Sequence, residues 1–141
     1  MPIITIPDIS HPLFTTTLEV SISNINYGHH LGHDSLISLL HEARVRWLCS
    51  LGYTELNIQG VGVIIKNLVV DYLSEAFYGD KLTIKIGAGE MTRVSMELIY
   101  QVTSGQTGKE VARAITTLIF YDYQHKKVAK MPSEVLGAIT R

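Results

Sequence analysis

The sequence predicts an α+β domain in which a curved antiparallel sheet of about five strands wraps around one long helix, and three observations carry that expectation. Apolar residues recur at helical spacing in one stretch only, residues 34–51. Downstream of it, apolar and polar residues alternate with the period of strands. At 141 residues the chain suits one core and is too short for two ordinary domains, so residues 1–141 read as a single unit in which helix and strands share that core. A single sheet of long antiparallel strands hides such a helix only by curling around it.

In chain order, Pro2, Pro7 and Pro12 punctuate the start, and residues 14–22, with Thr15, Thr16, Thr17 and Val20, have the β-branched content of a first strand. Residues 24–33, NINYGHHLGH, carry two glycines and no apolar period, which predicts a structured loop. Leu36, Leu39, Leu40, Ala43, Trp47, Leu48 and Leu51 then recur at three and four residues, with Asp34 as a capping-type residue in front and Gly52 as the stop. Ile37 and Val45 add apolar groups on other faces, so the helix is expected to be enclosed. Four strands follow: residues 60–73, the alternation of Leu82, Ile84 and Ile86, that of Val94, Met96, Leu98, Tyr100 and Val102, and residues 111–123. Gly79-Asp80, residues 87–92 and residues 104–108 read as hairpin-type turns between them.

Composition removes several function classes. Twelve Lys and Arg against thirteen Asp and Glu leave a net charge of −1, without the basic excess that neutralises nucleic-acid phosphates. The longest apolar run, Val61-Gly62-Val63-Ile64-Ile65, is far below the ~20 residues of a membrane span. A hydrophobic content of 46% with only 18% charged residues predicts that another copy covers part of the surface, in a homodimer or homotetramer. The lone Cys49 reads as a buried structural thiol in a reducing compartment. The first five residues lack a signal-peptide pattern, and the expectation is a soluble, cytoplasmic protein.

The order of strand, Gly/His loop, helix and four strands resembles the hotdog-fold acyl-CoA thioesterases of the 4-hydroxybenzoyl-CoA type. The residues that carry the likeness are Asn26-Tyr27-Gly28-His29-His30-Leu31-Gly32-His33-Asp34 followed by Glu42-Ala43-Arg44, then Val69-Val70-Asp71-Tyr72-Leu73 and Gly79-Asp80-Lys81-Leu82, then Ala112-Arg113-Ala114 through Phe120 and Lys130-Met131-Pro132. The likeness spans about residues 14–132 and rests on order and spacing rather than on any one motif. It implies a hotdog fold, an acyl-CoA substrate, hydrolysis to free acid and CoA, and no separate cofactor. Two departures stand out. Asn26 occupies the place where many members have a catalytic Asp, and an amide is neither nucleophile nor base. His33-Asp34 replaces the family's Asn-Asn pair.

Thioester hydrolysis needs an activated oxygen and donors for the developing oxyanion. The helix start supplies donors, because its first backbone N–H groups are unpaired within the helix and sit at the positive end of its dipole. Gly28 and Gly32 would let a ligand approach the backbone, with Tyr27 beside them. For the base, Glu42 leads the sequence reading as a carboxylate midway along an enclosed helix, about 12 Å from that helix's own start and so within reach of a partner subunit's thioester. The bland alternative is an i,i+4 pair with Arg46. Asn26 would orient water, His30 and His33 would move protons near neutral pH, and Asp34 would be a base or, more simply, a helix cap. Lys66, Arg93 and Arg113 are cations for the phosphates of CoA, or merely solvated. His29, His33, His41 and Asp34 could be grouped as metal ligands, but the glycines at 28 and 32 argue against one ligating face, and no metal is expected. Two rivals remain on the same fold: a non-catalytic acyl-CoA sensor, favoured by Asn26, and a 3-hydroxyacyl thioester dehydratase using His30 and Glu42.

Overall fold

A computed structural model describes residues 5–140; the readings made from residues 1–4, Pro2 and the leaderless start, lie outside the described residues. The elements are β1 (Phe14–Glu19), α1 (His33–Ser50), β2 (Gly62–Tyr72), β3 (Lys81–Met91), β4 (Ser95–Ser104), β5 (Glu110–Asp122), β6 (Lys127–Val128) and α2 (Ser133–Ile139). The strands form one antiparallel sheet in the order β1-β3-β4-β5-β2, with the two-residue β6 paired to β5. No helix among the described residues is long and apolar enough to cross a membrane.

The sheet closes on α1 because the strand period places every second residue on one face. Leu82, Ile84 and Ile86 of β3, Met96, Leu98, Tyr100 and Val102 of β4, and Ala112, Ala114, Leu118 and Phe120 of β5 are all buried there. Against them α1 buries Leu36, Leu40, Ala43, Trp47 and Leu48, the stripe that its spacing marked. The opposite face of the sheet is crossed by the N-terminal segment, where the side chain of Ile9 lies so close to Gly87 that a Cβ there would come within 2.6 Å of it.

Four boundaries differ from the sequence reading. The first strand stops at Glu19, and residues 22–24 form a 3-10 turn closed by the Ser21 N–H donating to the Asn24 carboxamide at 2.8 Å. Residues 87–91 belong to β3, since Gly87 and Gly89 serve close packing against Ile9 and Glu97 and not a turn; the reversal comes at Thr92, whose N–H donates to Ser95 O. Gly79-Asp80 is a turn but not a hairpin, because β2 and β3 are not neighbours in the sheet. Asp80 is buried there and accepts from Ser104 Oγ (2.5 Å) and the Gln106 N–H (3.1 Å), which fastens the β4–β5 turn to the start of β3. The short β6 and α2 were too brief to show a period.

Helix α1 is not enclosed in the single chain. Ile37, His41, Glu42, Val45, Arg46, Cys49 and Ser50 are exposed, so neither the environment expected for Glu42 nor that expected for Cys49 is present. One charge does sit on the buried stripe: Arg44, only 6% exposed. An unpaired charge there would cost several kcal/mol, and the fold supplies partners. Arg44 Nε donates to Glu55 Oε2 (2.9 Å) and Nη1 to the Tyr100 hydroxyl (3.2 Å), which in turn bonds Thr116 Oγ1 (2.8 Å), while Glu55 Oε1 accepts from His41 Nε2 (2.6 Å). This chain ties the middle of α1 to β4, β5 and the segment that leads into β2.

Burial opposes ionisation of Glu55, but the hydrogen bonds from His41 and Arg44 outweigh it and hold the carboxyl below its ordinary value of 4.5. A depressed native pKa contributes stability that is fully present above the unfolded value and is lost as pH falls through the native one. Urea denaturation across pH 3–7 is therefore expected to show wild type losing stability below about pH 4.5, with a shallower acid dependence in Glu55→Gln; identical slopes would contradict this.

Candidate functional site

A cavity of about 460 Å³ opens at the start of α1, lined by residues of the Gly/His loop and first helical turn (His30, Leu31, Gly32, His33, Leu36), by Tyr72, Leu73, Ser74, Glu75 and Ala76 at and beyond the end of β2, and by Val111. Its volume falls within the roughly 300–1,000 Å³ usual for small-molecule sites. Leu31, Leu36, Leu73, Ala76 and Val111 supply its apolar lining, and polar groups come from both sides, His30 and His33 on one and Tyr72, Ser74 and Glu75 on the other.

The loop is a miniature hairpin. Ile25 bridges Leu31, the Asn26 N–H donates to His30 O (2.9 Å), and the His29 N–H donates to Asn26 O (3.1 Å). The Asn26 carboxamide oxygen accepts the Gly28 N–H (2.9 Å), an Asx turn. This turn puts His29 in the left-handed region at φ 68°. Two further backbone bonds seat the loop: Leu31 N–H to Ala76 O (2.8 Å) and Gly32 N–H to Asn24 O (2.9 Å). The glycines are required by crowding. A Cβ on Gly28 would stand 3.2 Å from both Asn26 Oδ1 and His30 Nε2, and one on Gly32 would stand 2.8 Å from Asp34 Oδ1 and 3.6 Å from Asn26 Cβ.

The helix cap is Gly32, not Asp34. Gly32 offers no side chain, and Asp34, in the first turn, forms no capping bond. The Leu36 N–H is the first to bond back, to Gly32 O at 3.0 Å, so the amides of His33, Asp34 and Ser35 precede the helical ladder. Sequence reasoning expected Asp34 to occupy those donors; the geometry leaves them open at the positive end of the helix dipole. Tyr72, at the end of β2, closes the other side: its hydroxyl donates to His33 O (3.0 Å) and its ring lies 4.3 Å from that of His33. Burial and the Asp34 carboxylate raise the Tyr72 pKa, so its hydroxyl remains a donor.

His30 is one of the cavity-lining residues. Its Nδ1 stands 3.2 Å from the Leu31 carbonyl oxygen, which can only accept, so this bond requires the ring proton on Nδ1 and leaves Nε2, 3.9 Å from Glu75 Oε1, as the acceptor nitrogen.

The other candidates are dispersed. Glu42 pairs with Arg46 at 3.0 Å, with a side chain 51% exposed, and Arg46 also donates to Thr16 Oγ1 and Thr17 O. That places Glu42 toward the β1 edge of the sheet, on the opposite flank of α1 from Tyr72 and the cavity. Tyr27 is fully exposed and does not line the cavity. Lys66 sits at a bulge in the edge strand β2, about 20 Å from Tyr72 along the strand. Arg93 lies in the β3–β4 turn at the far end of the sheet. Arg113 is engaged by Asp8, Glu110 and Ile6 O. Among the described residues no group of His, Cys, Asp and Glu is arranged to hold a metal. Tyr72 and Glu75 were missed by sequence reasoning. Tyr72 lay inside a strand pattern, and Glu75 in an aperiodic stretch whose neighbours in space the sequence does not disclose.

The family model of the thioesterase-like superfamily matches residues 20–139. No curated protein matches the chain. Solved structures with the same fold include a 1,4-dihydroxy-2-naphthoyl-CoA thioesterase from Synechocystis, at TM-score 0.81 and 20% identity over 90% of this chain and 95% of the other. A hypothetical protein from Staphylococcus aureus in complex with CoA superposes at TM-score 0.82 and 17% identity, over 96% and 86%. A variant of 4-hydroxybenzoyl-CoA thioesterase complexed with 4-hydroxybenzoyl-CoA does so at 0.78 and 18%, over 89% and 97%. At these identities the likeness establishes the hotdog fold.

If the Asn26 carboxamide holds the loop, Asn26→Ala is expected to lose about 1 kcal/mol of stability, whereas Asn26→Asp, which keeps the acceptor, loses less. Urea midpoints measure both, and equal losses would show that the bond to Gly28 is not what matters.

Proposed function

Because the chain belongs to the thioesterase-like superfamily, we propose that it hydrolyses acyl-CoA thioesters at the cavity that opens at the start of α1. The observation that carries this reading is that one cavity is lined both by a helix start without a side-chain cap and by a histidine, His30. The acyl group lies on the apolar floor of Leu31, Leu36, Leu73, Ala76 and Val111, and the thioester oxygen takes the amides of the first turn. Water attacks the carbonyl carbon and gives its proton to His30 Nε2. The oxyanion is held by the helix amides, and each such preorganised donor is worth roughly 10²–10³ in rate. Collapse breaks the C–S bond, and the departing CoA thiolate recovers the proton from His30. Acid and free CoA leave, with no cofactor consumed. Asn26 shapes the loop in this scheme and does not carry the proton.

The reading includes a second copy. Strand β2 is a sheet edge of eleven residues, with Ile64, Ile65, Leu68 and Tyr72 exposed along it and Ile37 exposed on α1. Such an edge is a template for pairing, and a two-fold axis lets the same strand of another chain satisfy it. A homodimer built there covers the Tyr72 side of α1 and leaves Glu42 on the outer flank. The single cysteine suits a reducing compartment such as the cytoplasm.

Free-thiol release from a panel of acyl-CoA esters tests the activity. Wild type and Glu42→Gln are expected to turn over at comparable rates, within about threefold, and His30→Gln to lose at least 10²-fold in kcat, the scale of a general base. Saturable binding of the esters without turnover by wild type would leave a binding module instead. Loss of turnover in Glu42→Gln alone would return the base to the helix.

A further inference from the structure

We infer that Glu75, which lies outside the loop–helix motif, acts through His30 as its charge partner, balancing the charge of the ring once it has taken a proton. The inference rests on the reading of His30 as base and extends it. Glu75 Oε1 stands 3.9 Å from His30 Nε2, and both side chains line the cavity. The approach is built into the backbone: the Leu31 N–H donates to Ala76 O at 2.8 Å, one residue past each member of the pair, so the loop and the segment after β2 are stapled at that point. On the other side of Glu75, the Leu73 and Ser74 amides donate to Val111 O, and Ser74 Oγ donates to Glu110 O at 2.8 Å. Buried Ala76 closes the segment. Both flanks of Glu75 are therefore fixed while its own carboxylate stays at the cavity rim.

The contact is poorly matched while His30 is neutral. With the proton on Nδ1, the Nε2 lone pair faces a carboxylate oxygen, and neither group can donate. It becomes an ion pair only when Nε2 gains the proton that attack on the thioester releases. Glu75 thus favours the state formed during reaction over the resting one, which is how a charge partner accelerates a step. The other titratable groups around His30 are His29 on its own loop, His33 and Asp34 on α1 and Tyr72 on β2; among the described residues, Glu75 is the acid within 4.0 Å of it.

The test is kcat and KM for wild type, Glu75→Gln, Glu75→Asp and His30→Gln, with urea midpoints to confirm folding. Glu75→Gln is expected to lower kcat twofold to fivefold with KM nearly unchanged, the range open to an exposed ion pair. Glu75→Asp is expected to recover part of the loss. Unchanged kcat in Glu75→Gln, or a change in KM alone, overturns the role of Glu75 while His30→Gln still abolishes turnover. If His30→Gln remains active, the reading of the site itself fails.

Discussion

Everything in the site depends on how the Gly/His loop is fastened at the first turn of α1. Two backbone bonds do this, Leu31 N–H to Ala76 O and Gly32 N–H to Asn24 O, and they leave the next three amides without helical partners. Were residue 32 larger, its side chain would press on Asp34 and Asn26; were it a capping Ser or Asp, its oxygen would occupy the donors that a ligand needs. Glycine at the cap costs little helix stability and keeps the positive end of the dipole available.

The enclosing sheet serves that arrangement from a distance. Arg44 fixes the height and rotation of α1 through Tyr100 and Thr116 on one side and Glu55 on the other, so the helix start cannot drift along the sheet without breaking a buried charge network. Tyr72 then sets the distance between α1 and the end of β2 by its bond to His33 O. The cavity is what remains between two elements held apart by polar contacts near its rim and apolar ones on its floor.

Much of this was legible in the sequence, and the limits were physical. The 3.6-residue recurrence of Leu36, Leu40, Ala43 and Trp47 and the two-residue alternation along β3, β4 and β5 are direct consequences of burial, so the hotdog architecture followed from them together with the loop residues. The glycines at 87 and 89 misled because a glycine that relieves crowding looks the same in sequence as one that turns the chain. Asp34 misled for a related reason: an acidic residue near a helix start caps it only if it occupies the residue before the first turn, and a shift of two positions converts a cap into a first-turn charge. Glu42 was singled out because apolar residues on several faces of α1 imply cover, yet one chain provides that cover only on the sheet side, and Arg46 satisfies the carboxylate locally. The Arg44 pairing had a readable signal, a charge on the same stripe as Leu40 and Trp47, but its partners Glu55, Tyr100 and Thr116 are set by topology. So is the approach of Glu75 to His30, forty-five residues apart in sequence.

Docking of the thioester oxygen at the first turn of α1 is what the proposed reaction depends on. Amide chemical-shift mapping of the ¹⁵N-labelled protein with a non-hydrolysable ketone analogue of an acyl-CoA addresses it directly. The largest shifts are expected on the amides of His33, Asp34 and Ser35, with smaller ones at His30 and Glu75. Shifts confined to the Glu42 and Arg46 flank of α1, with the first turn unmoved at saturation, would contradict it.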